Sequence, residues 1–285
     1  MIEYLPILLF IAIFILILIG YPVAFTLGGL SVLVGLWIFD INFFYLLSLR
    51  VYGTMQNFVL LAVPLFIFMG IMLEKSGIAE KLLETMSMLF GRFRGGLAIS
   101  VIVVGAMLAA STGIVGATVV TMGLISLPTM LKKGYSPGIS TGTIAASGTL
   151  GQIIPPSVVL VLLGSVLNVS VGDLFLSAVA PGVGLVLIYI LFVIIYARVY
   201  PDRIPKISKE EIREFKSHGF TRELVMTFIL PFLLILAVLG SIFAGIASPT
   251  EAAGVGAFGA IILTLAQRKL SLKILKEVSR ETTLL

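Results

Sequence analysis

The sequence predicts an all-α integral membrane protein built around two interrupted helices, and three observations carry that reading. Of 285 residues, 59% are hydrophobic and only 12% charged, with a mean hydropathy of +1.17, outside the range of soluble domains. Of 19 Lys and Arg, all but Arg50 fall in blocks at 75–94, 132–133, 198–222 and 268–280, each between apolar runs. Two of the uncharged runs, 95–131 and 134–172, have lengths that ordinary spans do not explain. The net charge of +5 therefore reports membrane topology, and no nucleic-acid partner is expected. The absence of cysteine excludes disulfides, thiolate metal sites and Cys nucleophiles.

Residues 1–73 read as scaffold spans. The apolar run 4–39 is too long for one helix and divides at Gly20-Tyr21-Pro22, because Pro favours the start of a helix and disfavours helix just before it. No basic residues precede this run, so cleavage as a signal peptide is not expected. A short connection at 40–50 leads to a third span at 51–73, in which Pro64 is tolerated if neighbours satisfy the freed carbonyl. With Arg92 and Arg94 inside by the positive-inside rule, three spans place the N-terminus outside.

Residues 74–94 alternate faces at helical spacing. Ile78, Leu82, Leu83, Met86, Leu89 and Phe90 lie opposite Glu80, Lys81 and Glu84, which predicts an amphipathic arm helix in the cytoplasmic interface. Residues 95–133 carry basic residues at both ends, so the segment enters and leaves on one side. Its arms, 95–110 and 119–131, reach roughly 24 and 20 Å against a hydrocarbon core of about 30 Å. This predicts a re-entrant hairpin whose tip is 111–118, with Ser111, Thr112, Gly113, Gly116, Ala117 and Thr118.

Residues 134–197 then hold one crossing with length to spare, followed by a span at 174–197. The surplus falls at GTLGQIIPPS, where Gly148, Thr149, Gly151, Gln152, Pro155, Pro156 and Ser157 mark a discontinuous helix. Residues 198–223 form a polar cytoplasmic loop containing the sole histidine, His218. Spans at 224–246 and 252–266 start from the opposite side to the first pair, each pair being hinged on a proline, Pro22 or Pro249. Residues 224–285 thus read as the start of a second, inverted repeat, a common carrier architecture.

The hairpin tip and the broken helix are where backbone groups must be free of helix bonds inside the membrane, so they face each other or a cavity. Half-helix N-termini suit a carboxylate and half-helix C-termini suit a cation. The hydroxyls of Ser111, Thr112, Thr118, Ser147, Thr149 and Ser157 add oxygen ligands, and Gly113, Gly116, Gly148 and Gly151 permit close backbone approach. Small residues of this kind also serve simply to pack membrane helices. No Asp, Glu or His lies within a predicted span; Ser248-Pro249-Thr250-Glu251 reads as a helix cap. Oxygens without carboxylates favour sodium over protons as a coupling ion, and no catalytic residue or other cofactor is assigned. A passive channel or structural membrane subunit is the alternative; saturable flux that depends on a binding protein separates the carrier from it.

The run 111–175, from STGIVGAT through GY and IIPPS to VGDLF, closely resembles the large membrane subunit of TRAP transporters, the tripartite ATP-independent periplasmic carriers. AVPLFIFMG at 62–70 and ASPTEAAGVGAFGA at 247–260 are similar to the same family. The resemblance implies a sodium-coupled, elevator-type secondary transporter of the bacterial or archaeal inner membrane. It implies as partners a small membrane subunit and a periplasmic substrate-binding protein, and as cargo a small organic anion such as a dicarboxylate or sialic acid. It puts sodium and substrate at the hairpin tip, Ser111 to Thr118, and at the broken helix, Gly148 to Ser157. It also implies a second hairpin and a second broken helix, which this chain ends before reaching.

Overall fold

The computed structural model describes residues 4–112, 115–217 and 220–285; the side chains at 109–112, 117, 209, 214, 216, 217, 221 and 222 lie outside that description. All regular structure among the described residues is helical. The chain divides into two compact units, Met1–Asn57 and Phe58–Leu285.

In the first unit, α1 (Leu5–Ile19) ends where Gly20 adopts φ +104°, and Pro22 then starts α2 (Val23–Phe39), as the Gly-Tyr-Pro signal predicts. The expected connection at 40–50 is instead part of α3 (Asn42–Met55). Apart from Asp40, which turns the chain at φ +50°, no Gly or Pro interrupts the stretch before Gly53, so nothing stops the helix. Phe10, Phe25 and Trp37 are all exposed, an apolar surface that lipid can cover.

In the second unit the third span begins at Phe58, not at 51. A 3₁₀ turn (Phe58–Leu61) feeds α4 (Ala62–Lys75), giving a continuous 18-residue apolar helix. Pro64 falls just after the 3₁₀ turn gives way to α4, where the change of helical pitch accommodates its missing amide. The amphipathic helix appears as α5 (Ile78–Phe90). Its apolar face is covered by protein: Leu82, Leu83 and Met86 are buried against α6 (Gly96–Thr112) and its neighbours, and Ile78 is buried in a cluster with α4.

α6 is followed by α7 (Val115–Lys132), so helix continues closer to the turn than the expected arms and includes Ser111, Thr112 and residues 115–118. Staying helical satisfies backbone groups internally, and a single Gly116 does not prevent that. The arms of 17 and 18 residues reach roughly 25 and 27 Å, longer than expected; the first falls about a turn short of a core of about 30 Å, and the second has as many residues as the helix Phe58–Lys75.

The base of this hairpin is closed by one short stretch of the polar loop. Ile204 is fully buried beside Gly95; Arg203 O accepts from Ser136 N–H at 3.1 Å; Glu211 pairs with Lys133 at 2.5 Å. Residues 203–211 thus touch both the entry and the exit of the hairpin, which holds the two ends at one level. Tyr135 lies there too, 3% exposed, and burial raises its phenol to about 12, with backbone groups of Leu97 and Ala98 opposing. Because the folded-state value lies above the unfolded one of about 10, the stabilisation is complete below pH ~10. It fades by roughly 2–3 kcal/mol as pH rises through ~12. A phenol titrating near 10 at this position, followed by ultraviolet difference absorbance against a Tyr135→Phe reference, contradicts that burial.

α8 (Pro137–Thr149) and α9 (Val158–Leu167) follow, then α10 (Val171–Val199), capped by the Ser170 hydroxyl accepting from Asp173 N–H at 3.2 Å. Two short helices, α11 (Lys209–Ser217) and α12 (Phe220–Leu224), occupy the expected loop; His218 lies outside the described residues. A π-helical turn (Val225–Ile229) leads into α13 (Leu230–Phe243). Pro231 has no amide to offer the carbonyl four residues back, and widening the helix there accommodates it. α14 (Pro249–Ala266) carries the expected capping box, with Ser248 N–H donating to Glu251 Oε2 at 2.8 Å. α15 (Leu272–Leu284) ends the chain and pairs with α4 through Lys75 and Glu281 at 2.7 Å.

Two apolar clusters hold this unit together. One joins α5, α6, α7, α8 and the end of α10. The other joins α4, α9, α13, α14 and the start of α10, with Phe66 and Phe175 fully buried and their ring centroids 6.3 Å apart. Gly256 lets α14 pass between α4 and α13: a Cβ there would lie 2.8 Å from Met69 Sδ and 3.0 Å from Val238 Cγ2.

Candidate functional site

The broken helix is where local sequence leaves the backbone fewest options. α8 tightens into a 3₁₀ turn (Leu150–Gln152), and the amides of Ile153 and Ile154 both donate to Leu150 O, at 3.0 and 2.9 Å. Neither Pro155 nor Pro156 can donate, so the ladder cannot continue, and Ser157 is extended. Ser157 holds the N-cap position of α9, yet its hydroxyl donates back to Gln152 O at 2.8 Å and caps no amide. The first-turn amides of α9 therefore keep the partial positive charge that a cap oxygen would offset. Pro155, Pro156, Ser157 and Gly151 are buried, while Gln152 and Thr149 are exposed.

The hydroxyls before the break bond within their own helix, Ser147 to Ile144 O at 2.9 Å and Thr149 to Ala146 O at 2.8 Å. Each oxygen retains lone pairs for a further donor or cation.

The hairpin packs directly on this end of α8. A Cβ on Gly148 would lie 2.3 Å from Val119 Cγ2 and 3.1 Å from both Val119 Cα and N, so α7 and α8 touch backbone to backbone. On the other arm, a Cβ on Gly105 would lie 2.6 Å from Ser147 Cβ and Oγ. Val119 and Gly105 stand roughly one and a half and two and a quarter turns along the chain from residues 113–114. Thr118, immediately before Val119, is 2% exposed; Gly116 is exposed with open space beside it. Gly113, and the side chains of Ser111, Thr112 and Ala117, lie outside the described residues. The two predicted clusters are thus neighbours, joined through Gly148 and Val119. Gly182 of α10 seals another side of the break, 3.1 Å in the same sense from Ile154 Cγ1.

One polar group here was not found from the sequence. Glu74, in the last turn of α4, accepts from the Thr121 hydroxyl at 2.5 Å, three residues past Thr118. A separation of 47 residues leaves no local signal, and its place beside Lys75 reads as part of a solvated block. This is a charge-assisted bond of the stronger kind, and it puts a carboxylate against the second arm of the hairpin.

Among the described residues, the second unit holds four apolar helices long enough to cross a membrane, Phe58–Lys75, Val171–Val199, Val225–Phe243 and Pro249–Ala266, and each contributes residues to one core. Comparison with known proteins gives the family. Residues 10–285 match the tripartite ATP-independent periplasmic transporter, DctM component, and the chain belongs to that family. It is 36% identical over 254 residues to the C4-dicarboxylate TRAP transporter large permease protein DctM of Vibrio cholerae, covering 88% of this chain and 53% of the relative. The Pseudomonas aeruginosa protein of the same name is 32% identical, at 90% and 60% coverage. The sialic acid TRAP transporter large permease protein SiaM of Vibrio cholerae is also 32% identical, at 92% and 60%. The chain spans about half to 60% of the length of these relatives.

Proposed function

We propose that this chain supplies the hairpin and broken-helix half of a sodium-coupled secondary transporter importing a small organic anion, delivered by a periplasmic substrate-binding protein and assisted by a small membrane subunit. The observation that carries it is the contact of Gly148 with Val119, which sets the uncapped start of α9, the Ser147 and Thr149 hydroxyls and the hairpin arm side by side. Amide-lined helix starts suit a carboxylate, and hydroxyl and carbonyl oxygens suit sodium, held by Ser111, Thr112, Thr118, Thr149 and their neighbours.

The hairpin is re-entrant in this reading and its base, the polar loop and the N-terminal ends of α6 and α8 face the cytoplasm, with the N-terminus of the chain outside. The succession of elements supports an inverted repeat. α1, α2 and α3 have 15, 17 and 14 residues; α13, α14 and α15 have 14, 18 and 13. Each triplet turns first at a left-handed glycine, Gly20 or Gly245, with a proline opening the next helix, and then at a positive-φ residue, Asp40 or Arg268. Relatives bearing the names C4-dicarboxylate, sialic acid and isethionate transporter support an anionic cargo. Elevator motion is the mechanism expected of such a repeat.

Sodium binding is read in two ways. Sodium chloride, compared with choline chloride at equal concentration, is expected to raise the melting temperature of the purified chain. Uptake of labelled succinate or sialic acid into proteoliposomes, with the matching binding protein, is expected to require sodium on the binding-protein side. Unchanged melting together with uptake indifferent to choline replacement contradicts the sodium site.

A further inference from the structure

We propose that the cavity between the α5–α6 turn and the end of α10 binds an anionic phospholipid. The cavity, about 640 Å³, is lined by four cations, Arg92, Arg94, Arg198 and Lys206, set around an apolar wall that includes Phe93, Ile190 and Ile194. None of the four forms an ion pair with a described residue; the two ion pairs among the described residues use Lys75 and Lys133. Four like charges around one cavity repel one another unless an anion sits among them.

The backbone builds this ring. Gly95 at φ +84° lets the α5–α6 turn close on α10, where a Cβ would stand 2.8 Å from Val193 Cγ1. That brings Arg92 and Arg94 to the last turn of α10, beside Arg198. Guanidinium forks match phosphodiester oxygens in pairs.

The apolar wall decides between a lipid and a free anion. A soluble phosphate needs a wet, polar pocket; here Ile190 and Ile194 line the cavity on a 29-residue apolar helix whose exposed flank continues through Leu187, Leu191 and Ile195. An acyl chain can lie along that flank while the headgroup phosphate meets the cations, the arrangement of a basic pocket at a membrane surface. The inference depends on the chain being membrane-embedded and on nothing about its cargo.

The test uses one tryptophan at the cavity. In the full chain carrying Trp37→Phe and Phe93→Trp, quenching is measured in phosphatidylcholine bilayers holding a fixed share of phosphatidylglycerol, with bromine on the chains of one lipid or the other. Brominated phosphatidylglycerol is expected to quench as though enriched about fivefold or more over its bulk share, the effect of even one basic side chain at a membrane surface. Adding Arg92→Gln and Arg198→Gln is expected to abolish the preference, and added salt to weaken it without any change to the ring. If the doubly substituted protein fails to insert, the salt dependence decides. Equal quenching by the two lipids, a preference that survives both salt and loss of the arginines, or its removal by inorganic phosphate overturns the proposal.

Discussion

Replacing Gly148 by valine is expected to lower the stability of the protein by about 2–3 kcal/mol and to abolish sodium-dependent stabilisation, while Gly142→Val, two turns earlier on the same helix, leaves both nearly unchanged. The physical reason is space. At Gly148 a Cβ would meet Val119 at 2.3 Å through its methyl and at 3.1 Å through its backbone, so rotating one side chain does not relieve the contact. The helices must move apart or the backbone must bend, and inserting carbon into a closed contact of this kind costs about 1–3 kcal/mol for the first atoms alone. At Gly142 nothing stands within 4 Å, and valine is no worse a helix former than glycine. The comparison is read as melting temperature in detergent with and without sodium. Equal effects at the two positions contradict the account of the α7–α8 contact.

The second large effect is in the other cluster. Phe175→Ala is expected to cost about 3–5 kcal/mol, the range for removing a fully enclosed aromatic side chain, because transfer and cavity terms add. Phe175 is 0% exposed at the start of α10 and faces Phe66, itself 0% exposed in α4, across 6.3 Å between ring centroids. α10 reaches both clusters, Phe175 in one and Val193 in the other, so the truncation is expected to loosen α10 at one end only. Chemical denaturation of Phe175→Ala beside Phe175→Leu checks this. Leucine, which keeps most of the buried carbon, is expected to recover the larger part of the loss.

Much of the helix order was legible because the local signals were unambiguous. The Gly20-Tyr21-Pro22 hinge, the Ser248–Glu251 cap and the paired prolines at 155 and 156 act through their own backbones, and each marks a real boundary. Composition carried the helical membrane class. What the sequence did not reveal depended on distant partners. The connection expected at 40–50 is helical to Met55 because absence of charge says nothing about where a helix stops. The arm helix α5 has the predicted amphipathic pattern, but the pattern cannot say whether protein or lipid covers the apolar face, and here α6 does. The hairpin tip was drawn too wide, since small and hydroxyl residues are compatible with helix as well as turn; the arms run to Thr112 and from Val115. Glu74 carries no local signal of its partner, and only the fold brings it to Thr121. Of the candidate site, the break and its juxtaposition with the second hairpin arm are described, through Gly148 and Val119; Gly113 and the side chains of Ser111, Thr112 and Ala117 lie outside the described residues.

The central claim is that α6 and α7 enter and return on one face, and side-specific labelling tests it most directly. The chain has no cysteine, so single cysteines at Arg94 and at Lys132, both exposed, and a third at Val169 in the α9–α10 turn, give clean probes in intact membranes. Gly95 itself is unsuitable, because a side chain there meets Val193 at 2.8 Å. A membrane-impermeant maleimide is expected to reach residues 94 and 132 from the same, cytoplasmic, face and residue 169 from the other. Labelling of 94 and 132 from opposite faces makes the segment an ordinary pair of boundaries around a span, and contradicts the site built on its tip.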